Sequence, residues 1–209
     1  MEARQASGGE PQTPGAARIG EIVESTTTSF TAQCYVLHDP PAFGSFVRAS
    51  DGETDVLAVV ANAWTGSVDP SRRPVARGRD EPDEEAIYRN NPELPEILRT
   101  EFTALVVGYR SPSGGFEQRL PRRPCRLHAF AHAGRRDEVR EFTDRLDFLQ
   151  TLIAGGGAVA DELVAASLRE AAAVRDGDRG YLIRAGKELA VLLGSDVNRP
   201  TMVLKRIRA

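Results

Sequence analysis

The hydrophobic pattern of this chain changes period at Gly134, and that change constrains the fold more than any other feature. Before Gly134 the chain consists of short alternating segments separated by turn residues. In the segment 29–37, SFTAQCYVL, the apolar residues share one face: Phe30, Ala32, Cys34 and Val36. After Gly134 apolar residues recur every three or four positions, which is the helical period. The sequence therefore predicts an α+β fold in which strands come first and helices follow.

The alternating part contains several further strand signals. IGEIV begins at residue 19, and EFTALVVGYR at residues 101–110 is followed by the turn SPSGG and the partner segment GFEQRL. GSFVRAS and TDVLAVVANAW are joined by Asp51-Gly52, which supplies the positive φ angles of a tight hairpin turn. LPRRPCRLHAFAHAG, residues 120–134, is predicted to be extended. We expect residues 18–134 to form a small closed antiparallel β-barrel.

One long segment interrupts the barrel pattern. Residues 65–92 contain four prolines and no strong period before EEAIY. This predicts a long excursion from the barrel with one short helical turn. Loops of this length in a compact domain are usually functional or mobile.

Residues 135–209 are predicted to form a helical C-terminal region. One apolar stripe predicts a first helix that covers the core and ends at the glycines 155–157: Val139, Phe142, Leu146, Leu149 and Ile153. Residues 159–174 predict a second helix. A third, ended by Gly194, is marked by Leu182, Ala185, Leu189 and Leu192. The tail TMVLKRIRA is interpreted as either a last strand or an exposed basic end.

Composition limits the classes of function. The net charge is −3, so attraction of the whole molecule to DNA or anionic lipid is not expected. Residues 1–17 are rich in Gly, Pro, Ala and Gln and predict a disordered tail. No secretory signal and no membrane-spanning apolar run is present, which predicts a cytoplasmic protein without a membrane partner. The two cysteines are interpreted as small apolar residues of strands.

The sequence contains no motif for catalysis or for a cofactor. Cys125, His128 and His132 have zinc-ligand spacing, but in an extended segment Cys125 faces away from both histidines. We therefore expect no metal. Neither a G-x-S-x-G motif nor another nucleophile arrangement occurs, and we expect no enzyme. A hidden active site would need His38, His128 or His132 beside a Ser or Cys in a pocket.

Three basic clusters are candidates for contacts with phosphate or protein. They are Arg72, Arg73, Arg77 and Arg79; Arg119, Arg122, Arg123 and Arg126; and Lys205, Arg206 and Arg208. The alternative is that these basic side chains only form solvated surface, since an acidic run follows the first cluster at residues 80–85. Only Tyr88 and Tyr109 lie near these arginines as stacking aromatics. Trp64, at a strand end, is interpreted first as a core anchor and second as an interface anchor.

The strand and turn order resembles that of a known barrel. An Ile-Gly start, a Thr-rich step, an alternating strand and a Gly-x-Phe-Val segment are carried by Ile19, Gly20, Val23, Thr28, Phe30, Pro41, Gly44, Phe46 and Val47. With LAVVANAWTGS, EFTALVVGYR and LPRRPCRLHAFAH, this resembles the HAS barrel at the N-terminus of HerA-type ATPases, over residues 18–142.

The chain departs from that family because it has no P-loop. Its only Gly-Lys pair, Gly186-Lys187, precedes Glu188 and lacks the earlier glycine, so ATP hydrolysis is not expected. The resemblance implies a non-catalytic adaptor or regulatory subunit that contacts a HerA-type ATPase or a NurA-like nuclease in DNA processing, with homo-oligomer formation left open. The alternative is a nucleic-acid-binding barrel. The contact residues in either case are predicted to be Arg72, Arg73, Arg77, Arg79, Arg122 and Arg123.

Overall fold

The computed structural model describes residues 17–194 and 198–207. The strands are β1 Arg18–Ser25, β2 Ser29–Cys34, β3 Phe46–Ser50, β4 Asp55–Ser67, β5 Leu98–Arg110, β6 Phe116–Glu117 and β7 Phe130–Ala133. The helices are α1 Glu84–Asn90, α2 Leu94–Ile97, α3 Arg136–Phe142, α4 Phe148–Gly155, α5 Ala160–Ala173, α6 Arg179–Leu192 and α7 Arg199–Ile207. A single 3-10 turn, Gly157–Val159, joins α4 to α5.

Six of the strands close on themselves as an antiparallel barrel. The order around the barrel is β1, β2, β5, β4, β3 and β7, and β7 pairs back with β1. The pairing of β2 with β5 runs from Ser29 opposite Leu105 to Gln33 opposite Glu101. The short strand β6 only extends the edge of β5. The predicted fold, a closed antiparallel barrel followed by helices, is therefore confirmed.

The barrel interior is filled by alternate side chains of every strand. Phe30 and Phe102 meet edge to face there, with ring centroids 6.4 Å apart. Smaller residues fill the remaining space: Ile22, Ala32, Cys34, Val47, Ala49, Val56, Ala58, Val60, Ala104, Val106, Cys125 and Ala131. In a six-stranded barrel such side chains leave a packed core rather than a channel.

Strand β4 is buried on both of its faces between Val56 and Val60. Val56, Ala58 and Val60 point into the barrel, whereas Leu57 and Val59 point outward and join the helical core. A second apolar layer lies there, in which the Phe46 ring contacts those of Phe142 and Phe148 at centroid distances of 6.1 and 5.8 Å. The helices therefore pack directly on the barrel.

The apolar stripe predicted to form one helix forms two, α3 and α4. The side chain of Gln118, at the end of β6, explains the break. Its amide nitrogen donates to the carbonyls of Phe142 and Arg145 at 2.6 and 3.1 Å, and its oxygen accepts from the Phe148 N–H at 2.8 Å. One side chain thus satisfies the end of α3 and the start of α4. The prediction that the stripe covers the core is right, because Val139, Phe142 and Leu149 are buried.

A buried guanidinium fixes the other side of the same break. The Arg175 side chain donates to the Thr143 hydroxyl at 2.7 Å, to the Ala171 carbonyl at 2.9 Å and to the Asp144 carboxylate at 2.7 Å. Its charge also lies 4.3 Å from the centre of the buried Tyr181 ring. Arg175 therefore ties the segment after α3 to the start of α6 through hydrogen bonds and a cation–π contact.

The other predictions for the region after Gly134 had different outcomes. The second and third predicted helices are confirmed as α5 and α6. The tail is not a strand, because residues up to Ile207 form the helix α7, whose Val203 and Ile207 are buried in the helical core. Its basic residues Lys205 and Arg206 are exposed. The predicted extended segment 120–134 is a strand only at Phe130–Ala133, since turns occupy the residues before it. Residues 1–16 of the predicted tail, and Arg208, lie outside the described residues.

None of the helices in residues 17–194 and 198–207 is long and apolar enough to cross a membrane.

The barrel contacts α5 at Gly44, and this contact can be tested by substitution. Gly44 has φ +84°, and a Cβ there would lie 2.3 Å from the Cβ of Ala166. We expect Gly44→Ala to lower the free energy of unfolding by roughly 2–4 kcal/mol, from backbone strain and overpacking together. Gly114→Ala is the matched control, because Gly114 also has a positive φ but nothing within 4 Å of its Cβ. Urea unfolding should show a loss of only about 1 kcal/mol there. Equal losses would contradict the contact.

The two buried thiols predict a loss of stability at alkaline pH. Burial raises the pKa of Cys34 from 9.0 to about 11 and that of Cys125 to about 12. Above pH 9 the unfolded chain therefore binds fewer protons than the folded one. We expect the free energy of unfolding to fall between pH 9 and 10 by up to about 1.4 kcal/mol per thiol. The double variant Cys34→Ala, Cys125→Ala should show a shallower fall in the same urea titrations, and an unchanged slope would contradict this assignment.

Candidate functional site

Strands β4 and β5 continue as a two-stranded ribbon beyond the body of the barrel. β4 pairs with β3 only as far as Val59, and β5 pairs with β2 only from Glu101 onward. The two strands nevertheless stay paired out to Ser67 opposite Leu98. We call residues 62–67 and 98–103 the ribbon. Its inner end, residues 101–103, still pairs with β2, and only residues 65–67 with 98–100 lie beyond that pairing. The tip of the ribbon carries the segment 68–97. The sequence predicts an excursion at residues 65–92 with one helical turn, whereas β4 continues to Ser67 and the segment holds two short helices and ends at Ile97.

The 68–97 segment is held in place by specific contacts. The Asp83 carboxylate caps α1 by accepting from the Ala86 N–H at 2.7 Å. The Tyr88 hydroxyl lies 2.6 Å from Nε2 of His38, in the loop after β2. The backbone N–H of His38 in turn donates to the Thr100 hydroxyl of the ribbon at 2.8 Å. The segment is therefore packed against the loop after β2 and the ribbon.

An exposed apolar pocket opens where this segment leaves and rejoins the ribbon. Its volume is about 390 Å³. Its apolar lining consists of Val68, Pro74, Val75, Leu94, Ile97 and Leu98, and we call this set the ribbon patch. Val75 is 75% exposed, and Val68 and Ile97 are also exposed. Only Leu94 is buried among these aliphatic residues.

Three of the four predicted loop arginines line this pocket, and Arg79 does not. Arg77 has a structural role. It precedes α1 and donates to Asn91 and Glu93, which follow α1, at 2.5 Å, so it links the segments on either side of that helix. Arg72 is largely exposed and pairs with Asp69 at 3.3 Å. Hydrogen bonds from the hydroxyl and N–H of Ser71 lower the pKa of Asp69, which keeps that carboxylate charged opposite Arg72. Arg73 has no ion-pair partner within the described part of the chain.

The two predicted exit-segment arginines lie on a different surface. Arg122 and Arg123 are exposed, and Arg123 pairs with Glu53 in the β3–β4 turn at 2.7 Å. A nearby cleft of about 460 Å³ is lined by Arg48, Arg126, His128 and His132 among others. Arg48 there pairs with Asp55, and His128 with Glu21. The surface thus combines both signs of charge, and neither Arg122 nor Arg123 lines the ribbon pocket.

Trp64 is the surface residue that sequence reasoning placed wrongly. It lies on the ribbon and is 38% exposed, not in the core. Its ring covers Gly66, where a Cβ would meet the ring at 2.7 Å, and lies 5.5 Å from the Arg99 guanidinium. The sequence placed Trp64 at the end of a strand, but it did not show that this strand, β4, extends beyond its pairing with β3. Gly66, two residues on, was the available signal, since it leaves space on the face that Trp64 covers.

The histidines and cysteines singled out in the sequence have defined surroundings in the part of the chain that the structure describes. Cys34 and Cys125 are free thiols buried in the barrel. His38 contacts Tyr88, and His128 contacts Glu21. No cluster of three or more His, Cys, Asp or Glu side chains suited to a metal ion occurs among the described residues.

No family model matches the sequence. No curated protein matches it either. The likeness to the HAS barrel therefore rests on the sequence pattern of residues 18–142, and the closed barrel rests on the structure.

Proposed function

We propose that the protein is a non-catalytic adaptor or regulatory subunit that binds a protein partner through the ribbon patch. One observation carries this proposal: a fixed, ordered loop holds several aliphatic side chains in water around one pocket. A segment that only closed the chain would gain stability by turning these side chains inward. Contiguous exposed apolar surface on a soluble domain is typical of interaction sites.

The surroundings of the patch fit the anatomy of a protein interface. Such interfaces combine an apolar centre with a polar rim, and arginine is enriched among their residues. Val75 and Ile97 supply the centre, and Arg72 and Arg73 supply the rim. Trp64, exposed on the same ribbon, is a further anchor of the type that hot spots favour. Since Arg77 is occupied within the loop, we assign it to maintaining the site rather than to contact.

The class of partner follows from the resemblance to the HAS barrel. We propose a HerA-type ATPase or a NurA-like nuclease, in DNA processing in the cytoplasm. In such a complex this chain would supply binding contacts, and the ATPase or nuclease would carry out the reaction. Whether copies of this chain also associate with one another belongs to the same proposal, because the barrels that it resembles pack in rings.

Direct nucleic-acid binding is less well supported by the geometry. Phosphate contacts need cationic side chains that are not already neutralised. Three of the six predicted arginines have carboxylate partners, namely Arg72 with Asp69, Arg77 with Glu93 and Arg123 with Glu53. The hydroxyl of Tyr88, one of the two tyrosines near the predicted arginines in sequence, is bonded to His38. We therefore favour the adaptor.

Charge insertion in the ribbon patch tests the proposal. We expect Val75→Glu to weaken binding to the purified HerA-type ATPase or NurA-like nuclease of the same organism by at least about tenfold, because it buries an unpaired carboxylate. Val159→Glu is the matched control, since Val159 is also an exposed valine but lies in the turn before α5. It should bind as the unmodified chain does. Biolayer interferometry with full-length proteins provides the measurement.

Two results would contradict the proposal. One is that neither protein binds the unmodified chain, and the other is that Val75→Glu and Val159→Glu weaken binding equally. A duplex DNA fragment should be measured alongside. Tight DNA binding that falls steeply with salt and is lost in Arg122→Ala would transfer the function to the nucleic-acid alternative.

A further inference from the structure

The helices α6 and α7 form a groove at the edge of the helical core. α6 turns Tyr181, Ala185 and Leu189 inward, and α7 turns Val203 and Ile207 inward. The groove has a volume of about 800 Å³, and Ile207 contributes both to it and to the core. It shares no lining residue with the ribbon pocket or with the exit-segment cleft.

The shape of the groove is set by small residues. Gly186 and Ala190 lie on its α6 side, and a Cβ at Gly186 would only reach ordinary contact distance, 3.4 Å, from Leu204 of α7. Larger apolar side chains stand beside them: Leu182, Ile183, Leu204 and Ile207. Ile183 is 60% exposed although it is a β-branched aliphatic residue. The groove thus has an apolar floor made of these side chains.

The charge around the groove is one-sided. α6 and α7 carry Arg179, Arg184, Lys187, Arg199, Lys205 and Arg206, against the single carboxylate of Glu188. This contrasts with the whole chain, whose net charge is −3. Arg199 and Arg206 are paired with Asp161 and Glu162 of α5. Arg179 and Lys187, which line the groove, have no ion-pair partner among the residues described.

We propose that this groove binds an acidic amphipathic helix of a partner protein. Such a helix places apolar residues at positions i, i+3, i+4 and i+7 into a groove, and its flanks lie along the rim. The apolar floor takes those side chains, and Arg179 and Lys187 meet acidic residues on the flanks. The inference does not rest on the ribbon patch, and a second interface gives the adaptor a way to bridge two proteins.

The concave form of the site favours a helix over a lipid surface. Membrane-surface helices present a convex apolar face that enters the acyl boundary. A groove of about 800 Å³ is concave, so a flat bilayer would leave it unfilled. A protruding row of side chains fills the same space.

A phage-displayed library of randomised 16-residue peptides, selected on the full-length chain, tests the proposal. We expect the enriched peptides to be acidic and to carry apolar residues at helical spacing. A synthetic version of the strongest peptide should bind at least tenfold more weakly to Ile183→Glu than to the unmodified chain. The matched control is Val191→Glu, because Val191 is also an exposed aliphatic residue of α6, at 76%, and does not line the groove. Its affinity should be unchanged.

A second pair of variants tests the basic side chains at the rim of the groove. Lys187→Glu should weaken the peptide at least threefold and reduce the salt dependence of binding, whereas Lys205→Glu, which lies on α7 outside the lining, should do neither. Circular dichroism melting of each variant excludes unfolding as the cause.

Three outcomes would overturn the proposal. The selected peptides are not acidic and amphipathic, or no peptide is enriched, or the peptide binds Ile183→Glu and Val191→Glu alike. Vesicles containing phosphatidylserine form the second arm of the experiment. Flotation with those vesicles that is lost in Ile183→Glu, without peptide selection, would assign the groove to lipid instead. Ribbon-patch variants such as Val75→Glu should leave peptide binding intact, which separates this result from the adaptor test.

Discussion

The burial of β4 on both faces is the constraint on which the rest of the structure depends. Between Val56 and Val60 each side chain is buried, alternately in the barrel and under the helices. A strand can be apolar at every position only when both of its faces are covered. Closing the barrel covers one face, and the helices cover the other. Neither half of the chain can bury this strand alone, so the barrel and the helical region form one folding unit.

The helices are placed on the barrel by polar contacts as well as by this apolar layer. Gln118 leaves the barrel and satisfies the ends of both α3 and α4. Arg175 then links the segment after α3 to α6 through Thr143, Asp144 and the Tyr181 ring. Breaking buried hydrogen bonds of this kind leaves costly unpaired groups. These contacts therefore favour one arrangement of the helices on the barrel.

The same constraint explains where binding surface remains. Strand β4 outruns both β3 and the helices after Val60, and its side chains become exposed from Asn62 onward. The ribbon patch and Trp64 lie on that uncovered extension. The α6–α7 groove lies between helices whose inner faces are used by the core, at the edge of that core. Both candidate interfaces are thus surfaces that the shared core does not cover.

Local sequence patterns predicted the strands and turns that depend on neighbouring residues. They missed the features that depend on residues distant in the chain. Alternation in residues 29–37 and 101–110 predicted the strands, and Asp51-Gly52 predicted the hairpin, in which Gly52 has φ +97°. The break between α3 and α4 could not be predicted, because it depends on Gln118, which lies 24 residues before Phe142. Likewise, the helix α7 could not be predicted, because it depends on the packing of Val203 and Ile207 against distant residues of the helical core.

The candidate sites follow the same division. Composition pointed to the arginine loop, and three of its four arginines do line one pocket. Their carboxylate partners and the apolar lining could not be inferred, since Val68 and Ile97 are brought together only by the pairing of β4 with β5. The groove was missed because it requires α6 and α7 to be neighbours, which no local pattern reveals.

Native-state hydrogen exchange in increasing urea tests most directly whether the barrel and the helices share one core. The account predicts that the slowest amides of β4, at Val56–Val60, and those of α5, around Leu163–Leu168, exchange through the same global opening. Their opening free energies and urea slopes should then be equal. If α5 instead opens at a lower free energy and with a smaller slope while β4 stays protected, the two halves are separate units and the account is wrong.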